Sequence, residues 1–484
     1  MEAIYVNRSP ALSVSEKILL ARKSQYTQAA LSNFLGTPVK TDHPRVALCT
    51  SGGGYRTMIY NSGALLALED IGLLPAITYS AALSGSTWLF APLIVQQPIS
   101  LRDFAQKLKA RVNRPFWNIE TLHTDQILAA LENIYLTHKK ITPADLWGAI
   151  IVDRLMGDVD SIGKWAQCVK LSDIARFLDS LTVPPPIPIF TTVCTDVYPY
   201  QWLETTPYTM GDYLIGGFIP TYSFDSLFNT GICTSLLQEK PLSSFLGVFG
   251  SPYCASGGDI LLLISEFAAR HTTHRWLWDI IYKATEYIIK QAELSHWRFL
   301  PSHFYNFTFN LPILPDFPVS PAWTKEHLTI VDAGFDFNNP FPPLLHPERA
   351  TDIILVCDAS SDVTESSGLY PSLESSTGVY PELEMARIYA HRHGLPFPLL
   401  DHPEVISEHL SIFHGQPGVP TIIYYTNPVG FSTLKLSYTP EEFDQLSGTI
   451  YKLITSTKEN IANAIKRKIP ATLSQSHSRW CTLL

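Results

Sequence analysis

The sequence predicts an α/β protein with a central, mainly parallel sheet flanked by helices and a cap or lid insertion. Three observations carry that expectation. Twice near the N-terminus a short apolar strand runs through a turn of small residues into a helix, the unit from which parallel sheets are built. Further short apolar runs, at 189–194, 328–331 and 353–356, are of the buried-strand type. Finally, 484 residues, 46% hydrophobic and 16% charged, can bury a core larger than that of an average domain of about 100–200 residues.

Residues 11–35 contain good helix formers with apolar residues at helical spacing. A strand at 46–49 precedes Gly52-Gly53-Gly54. The next helix, from about Arg56, carries Met58, Ile59, Leu65, Leu66 and Leu68 on a wide apolar face and is closed by Gly72. A second strand at 77–79 leads into a turn at Ser84, and another helix starts at Thr87. Residues 100–182 read as mostly helical, and the proline run 184–188 marks a connection. The stretch 270–305 is aromatic and amphipathic, with Trp276, Trp278, Tyr282, Trp297 and Phe304; core helix is the plain reading and a membrane-facing lid the sharper one. The Ser/Thr/Glu-rich stretch 360–376 predicts an exposed loop.

Composition excludes several classes. A formal net charge of −9 lacks the electrostatic footprint of a nucleic-acid binder. Seven cysteines without CxxC pairs form neither a disulfide framework nor a zinc pattern, and they fit a reducing compartment. No apolar run approaches the roughly 18 residues that span a bilayer, and the N-terminus carries no basic-then-apolar leader. The expectation is a cytoplasmic protein.

The chemistry begins with Ala82-Leu83-Ser84-Gly85-Ser86. A serine on a sharp strand-to-helix turn exposes its Oγ, and the helix N-terminus behind it favours developing negative charge. Small neighbours are needed because side chains would collide across such a turn. Taken alone, this is a weak signal. Gly52-Gly53-Gly54 strengthens it, since glycine N–H groups can approach an anion without obstruction. Neither the P-loop lysine nor the dinucleotide glycine spacing accompanies them. As an oxyanion hole such donors are worth about 3–4 kcal/mol each. Arg56, just beyond, offers a planar fork suited to phosphate. Asp332 ends the apolar strand 328–331; a carboxylate in apolar surroundings resists ionisation and can serve as a base. Asp336 and Asp358 have similar local claims.

Ser51-Gly52-Gly53-Gly54-Tyr55-Arg56-Thr57-Met58, then Leu83-Ser84-Gly85-Ser86-Thr87-Trp88, then 245–251, then Val331-Asp332-Ala333-Gly334 with Asn339-Pro340-Phe341-Pro342-Pro343 together resemble the catalytic module of cytosolic phospholipase A2 and fungal lysophospholipase (phospholipase B). The resemblance runs from about residue 10 to 460. It implies a patatin-like fold and a Ser/Asp dyad, with Ser84 as nucleophile and Asp332 as base. It further implies Gly53 and Gly54 as oxyanion hole and Arg56 at the substrate phosphate. Ala82 departs from the family's usual glycine, so some strain is expected there. Residues 1–465 would form the catalytic domain, with cap-like insertions within 200–325, and 466–484 a basic tail.

The expected activity is calcium-independent hydrolysis of phospholipid or lysophospholipid acyl esters at a membrane surface, without metal or cofactor. Too few residues precede the first strand for the calcium-dependent lipid-binding module of the animal enzymes. The alternatives are acyl transfer to an alcohol or lysolipid on the same dyad, and a weakly active lipid-binding protein. Cys481-Thr482-Leu483-Leu484 fits a prenylation box whose final leucine favours geranylgeranyl. Lys466-Arg467-Lys468 would add an electrostatic signal. A protein prenyltransferase is then an expected partner, and peripheral membrane attachment through Cys481 an expected outcome.

Overall fold

The computed structural model describes residues 3–40, 43–96, 98–116, 118–156, 168–251, 302–315, 317–360, 380–433 and 435–469, with positions 279, 282 and 283. The chain opens with α1 (Val14–Leu35), whose cap is the Ser13 hydroxyl accepting from the Glu16 N–H. Then come β1 (Val46–Thr50), α2 (Gly54–Asp70), β2 (Ile77–Ala82) and α3 (Thr87–Val95). A helical stretch comes next: α4 (Leu101–Val112), α5 (Thr124–His138), α6 (Pro143–Met156) and α7 (Leu171–Ser180). After β3 (Ile187–Cys194) the chain forms β4 (Gln201–Thr205), β5 (Thr209–Asp212), β6 (Gly217–Pro220) and the small hairpin β7 (Leu227–Asn229) with β8 (Ile232–Ser235). Beyond α8 (Leu242–Phe249) lie β9 (Ser302–Tyr305), β10 (His327–Asp332) and β11 (Ile353–Asp358). The last part is α9 (Pro381–Arg392), β12 (Glu404–Ser407), β13 (Leu410–Phe413), β14 (Thr421–Thr426), α10 (Pro440–Ser456) and α11 (Lys458–Lys466).

Among the described residues the main sheet has twelve strands, with the path β12-β13-β14-β11-β1-β2-β3-β4-β5-β6 and with β10 and β9 joined through β3. Its centre, β14-β11-β1-β2-β3, is parallel. Both flanks are antiparallel, so the sheet is mixed around the mainly parallel centre that the sequence predicts. Of the stretch 200–325 expected to hold insertions, 201–220 and 302–305 extend this sheet. Ser302–Tyr305, which the sequence places within an aromatic helical stretch, is instead a strand paired with β10. Most of 252–301, residues 361–379, which include nearly all of the exposed loop expected at 360–376, and the tail with Cys481 lie outside the described residues.

The central strands are buried on both faces, which explains their unbroken apolar character. Val46 and Leu48 of β1 join the core that contains α2, α3, α6 and α10, while Ala47 and Cys49 join the opposite core with α9. β11 divides in the same way: Ile353 and Leu355 go to the first, Ile354 and Val356 to the second. The alternation is the pleat itself, and it makes three layers.

Helix α8 has a particular way of packing. A Cβ at Gly148 of α6 would collide with the Ser243 carbonyl, and one at Gly247 of α8 with the Ala144 carbonyl. Two helices crossing this closely tolerate no methyl on either side. The crossing fixes Gly250 and Ser251 just beyond α8, where the Gly250 carbonyl accepts from Trp147 Nε1 at 2.8 Å. Gly148→Ala should therefore destabilise the protein by about 1–3 kcal/mol through overpacking. A lowered urea midpoint would report this, and an unchanged midpoint would show that the crossing can open freely.

Candidate active site

The geometry starts in strand register. Thr50 of β1 lies opposite Ala82 of β2, so the glycine loop and the serine turn leave the sheet side by side. β2 runs parallel to β3 up to the pair Ala82–Phe190 and then departs into the turn. β4 covers the other edge of β3. Into the edge that β2 vacates comes β10, antiparallel, pairing Asp332 with Thr192. The last residue of β10 is thereby brought to the turn that ends β2.

Ser84 opens a short 3-10 turn, Ser84–Ser86, that runs directly into α3. Its φ is +53°, a left-handed conformation that costs a non-glycine residue about 1–2 kcal/mol. Ala82 stays in regular strand geometry. The strain expected at Ala82 is therefore found at Ser84, because the chain reverses at the serine. Gly85 meets the glycine loop backbone to backbone: a Cβ there would collide with the Gly54 carbonyl. A Cβ at Gly52 would come within 3.0 Å of Ser84 Cβ. Gly53 and Gly54 have φ of +137° and +58°, which favour glycine. Their N–H groups meet no protein acceptor among the described residues, whereas that of Gly52 donates to the Asn338 carbonyl at 3.1 Å.

Below the turn lies a buried polar knot. The Ser51 carbonyl accepts from Ser86 Oγ at 2.6 Å and from Thr57 Oγ1 at 2.8 Å. Asn61 Nδ2 donates to Thr57 Oγ1 at 2.9 Å and to Ser86 Oγ at 3.1 Å. Loop, helix and turn are cross-linked without a charge.

Asp332 is fully buried. Its Oδ1 accepts from the Gly334 N–H at 2.9 Å, and its own N–H donates to Ser251 Oγ at 3.0 Å. Burial pushes its pKa up to about 7, and the nearby Ser84 hydroxyl and the Gly334 N–H only partly offset this. Oδ2 has no aligned donor; the serine hydroxyl is close enough to favour the charged form without completing a well-aligned bond. Catalytic hydrogen bonds are often loose before substrate binds.

Arg56 is buried on α2. Its Nη1 donates to the Phe431 carbonyl at 2.6 Å, and a Cβ at Gly53 would lie 2.7 Å from its Nη2, so the guanidinium is beside the glycine loop. Ser84, Asp332, Gly53, Gly54 and Arg56 are thus gathered where the ends of β1, β2 and β10 adjoin. The other two carboxylates are engaged elsewhere. Asp336 accepts from Trp202 Nε1 at 2.7 Å, and Asp358 from the Tyr424 hydroxyl and from Asn339 Nδ2.

Sequence reasoning assigns no role to Ser251, Asn61 or Asn338. Asn61 has a signal, an amide on an otherwise apolar helix face; Asn338 lies beside the Asn339-Pro340 pair that contributes to the resemblance. Ser251 ends the stretch 245–251 that contributes to the resemblance, but its bond to the Asp332 N–H is seen only in the structure.

A hydroxyl in a strained turn, a buried carboxylate poised near neutrality and two unengaged N–H groups can together support acyl transfer through a covalent ester. The sequence profile of the lysophospholipase catalytic domain matches residues 46–377. Human cytosolic phospholipase A2 zeta is 24% identical, over 94% of this chain and 60% of its own length. Human cytosolic phospholipase A2 gamma is 24% identical, over 82% of this chain and 80% of its own. The chain thus spans only about 60% of the zeta relative. Among solved structures, human GIVD cytosolic phospholipase A2 superposes with a TM-score of 0.73 at 20% identity, over 96% of this chain and 66% of that one; this likeness is one of fold. By the profile match over most of its length, the chain belongs to the lysophospholipase catalytic domain family.

Proposed function

We propose that this protein hydrolyses acyl esters of glycerophospholipids and lysophospholipids through a Ser84/Asp332 dyad. The observation that carries the reading is the strained serine turn set against a fully buried carboxylate with a pKa of about 7. Membership of the lysophospholipase family supports the reaction class. Ionised Asp332 takes the Ser84 proton as Oγ attacks the ester carbonyl carbon. The oxyanion forms against the Gly53 and Gly54 N–H groups. Collapse of this intermediate expels the alcohol, which leaves with the proton from Asp332. Water, deprotonated by Asp332, then attacks the acyl-enzyme and releases the fatty acid and free Ser84. Arg56 holds the substrate phosphate. Protein groups supply both the proton transfer and the charge stabilisation, so the cycle is assigned as calcium-independent. The site of action is a phospholipid surface in the cytoplasm, a reading supported by relatives named as cytosolic phospholipases A2.

Ser84→Ala should lower kcat on defined phospholipids by at least about 10⁴-fold with an unchanged unfolding midpoint, and retained activity would sink the assignment. Excess EGTA should leave the wild-type rate unaltered; a rate that collapses and returns with calcium would reverse the calcium assignment.

The base must be ionised to act, so kcat/KM should fall about tenfold per pH unit below the Asp332 pKa of about 7. The same shift has a sign for stability. The folded pKa lies above the unfolded value of about 3.9, so the folded state keeps a proton that the unfolded chain has lost. Stability therefore declines as pH rises between those values, and the cost is fully present above about 7. Asp332→Asn should abolish activity and raise Tm more at pH 8 than at pH 4. An equal change at both would place the Asp332 pKa near its unfolded value.

A further inference from the structure

We infer that Asn338 is a positioning residue for the oxyanion-stabilising loop: it grips Gly52 through both main chain and side chain and so sets the direction of the Gly53 and Gly54 N–H groups. The inference rests on the function proposed above. Gly52 N–H donates to the Asn338 carbonyl at 3.1 Å, and Asn338 Nδ2 donates back to the Gly52 carbonyl at 3.2 Å. The second amide proton goes to Ser360 Oγ at 2.7 Å. The Asn338 N–H donates to Glu382 Oε2 at 2.5 Å, which ties the residue to α9. Gly52 is therefore held by Asn338 and has no room for a side chain: a Cβ there would meet Asn338 Oδ1 at 2.5 Å, Leu83 Cδ2 at 2.7 Å and Ser84 Cβ at 3.0 Å.

The grip matters because the next two residues cannot orient themselves. Gly53 and Gly54 have positive φ and no side chains, so nothing intrinsic to them fixes a peptide plane. Their direction is inherited from Gly52 upstream and from α2 downstream. Asn338 is buried, so water is poorly placed to replace its amide if that amide is lost. The adjacent Asn339 has a separate job, donating to Asp358 and to the Tyr424 hydroxyl. Asn338 contributes no group to the dyad and acts through Gly52.

Asn338→Asp keeps the size and the oxygen and, once its carboxyl is ionised, cannot donate to the Gly52 carbonyl; assays are therefore run up to pH 9. Removing an oxyanion donor costs about 10²–10³ in kcat, so misdirecting donors that remain should cost about 10–100-fold. The expected result is that loss in kcat with KM within about 3-fold and a parallel loss of affinity for a trifluoromethyl ketone lipid analogue, which forms an oxyanion on Ser84. Affinity for a non-hydrolysable ether lysolipid should not move, a separation that a merely structural role would not produce. Should Asn338→Asp fail to fold, Ser360→Ala releases the outer end of the amide and should lower kcat by about 3-fold with KM unchanged. Wild-type kcat in the folded variants, or a loss confined to KM, overturns the inference. Covalent capture of Ser84 by an alkyl fluorophosphonate separates it from the broader reading. In that capture Oγ bonds to phosphorus, fluoride leaves and the serine proton passes to Asp332. If wild type and Asn338→Asp are captured at one rate, the positioning role alone falls; if wild type is neither captured nor active on phospholipid, the dyad falls and takes this role with it.

Discussion

The whole site depends on one edge of one strand. β3 is bordered along its first half by β2 and along its second by β10, the change occurring between Phe190 and Thr192. A strand edge is a row of N–H and C=O groups that must be paired when buried. When β2 peels away to make the serine turn, β3 would be left with unpaired polar groups in the core. β10 supplies the missing partner, and because it runs antiparallel it ends where β2 ends. Asp332 thus arrives beside Ser84 because the sheet needs its hydrogen bonds completed there. Position is set by backbone pairing, and side-chain chemistry is added to it.

That arrangement sets Asp332's electrostatics. A residue at the meeting point of two strand ends is fully buried in the resting site. Its carboxylate loses hydration and gains only the Gly334 N–H and a loosely aligned serine hydroxyl. An ion pair would lower its pKa and weaken it in the base role proposed for it; none is formed with Asp332 among the described residues. The neighbouring knot of Ser51, Thr57, Asn61 and Ser86 is likewise uncharged. It ties the loop to the turn without adding a field that would change the proton affinity of Asp332.

How much of this the sequence carries is a matter of range. Strands flanked by glycine turns and leading into helices are local patterns, so β1, α2, β2, α3 and the Ser84 turn are legible within a few residues. The apolar signal of β2 stops short of its end because Ser80, Ala81 and Ala82 carry little of it, although all three pair with β1. The antiparallel flanks β4 to β6 escape a sequence reading because each strand is only four or five residues long and pairing partners are not written in periodicity. Asp332, Asp336 and Asp358 are locally alike; only burial and the engagement of the latter two by Trp202 and Tyr424 separate them. Asn338 is invisible for the same reason, since its partner Gly52 is distant in sequence and adjacent only through the sheet.

Ala82 shows what the serine turn requires. The residue two before the nucleophile is commonly glycine, and a larger one there invites the expectation of strain. Here Ala82 completes a regular strand, paired on both sides, and its carbonyl accepts from Thr191 Oγ1 at 3.2 Å. It has no need of the backbone freedom that glycine provides. The left-handed turn is taken by Ser84 itself, and the close approach by Gly85 against Gly54. The small-residue demand of such a turn therefore falls chiefly after the serine, where backbone meets backbone. Before it, a methyl group suffices.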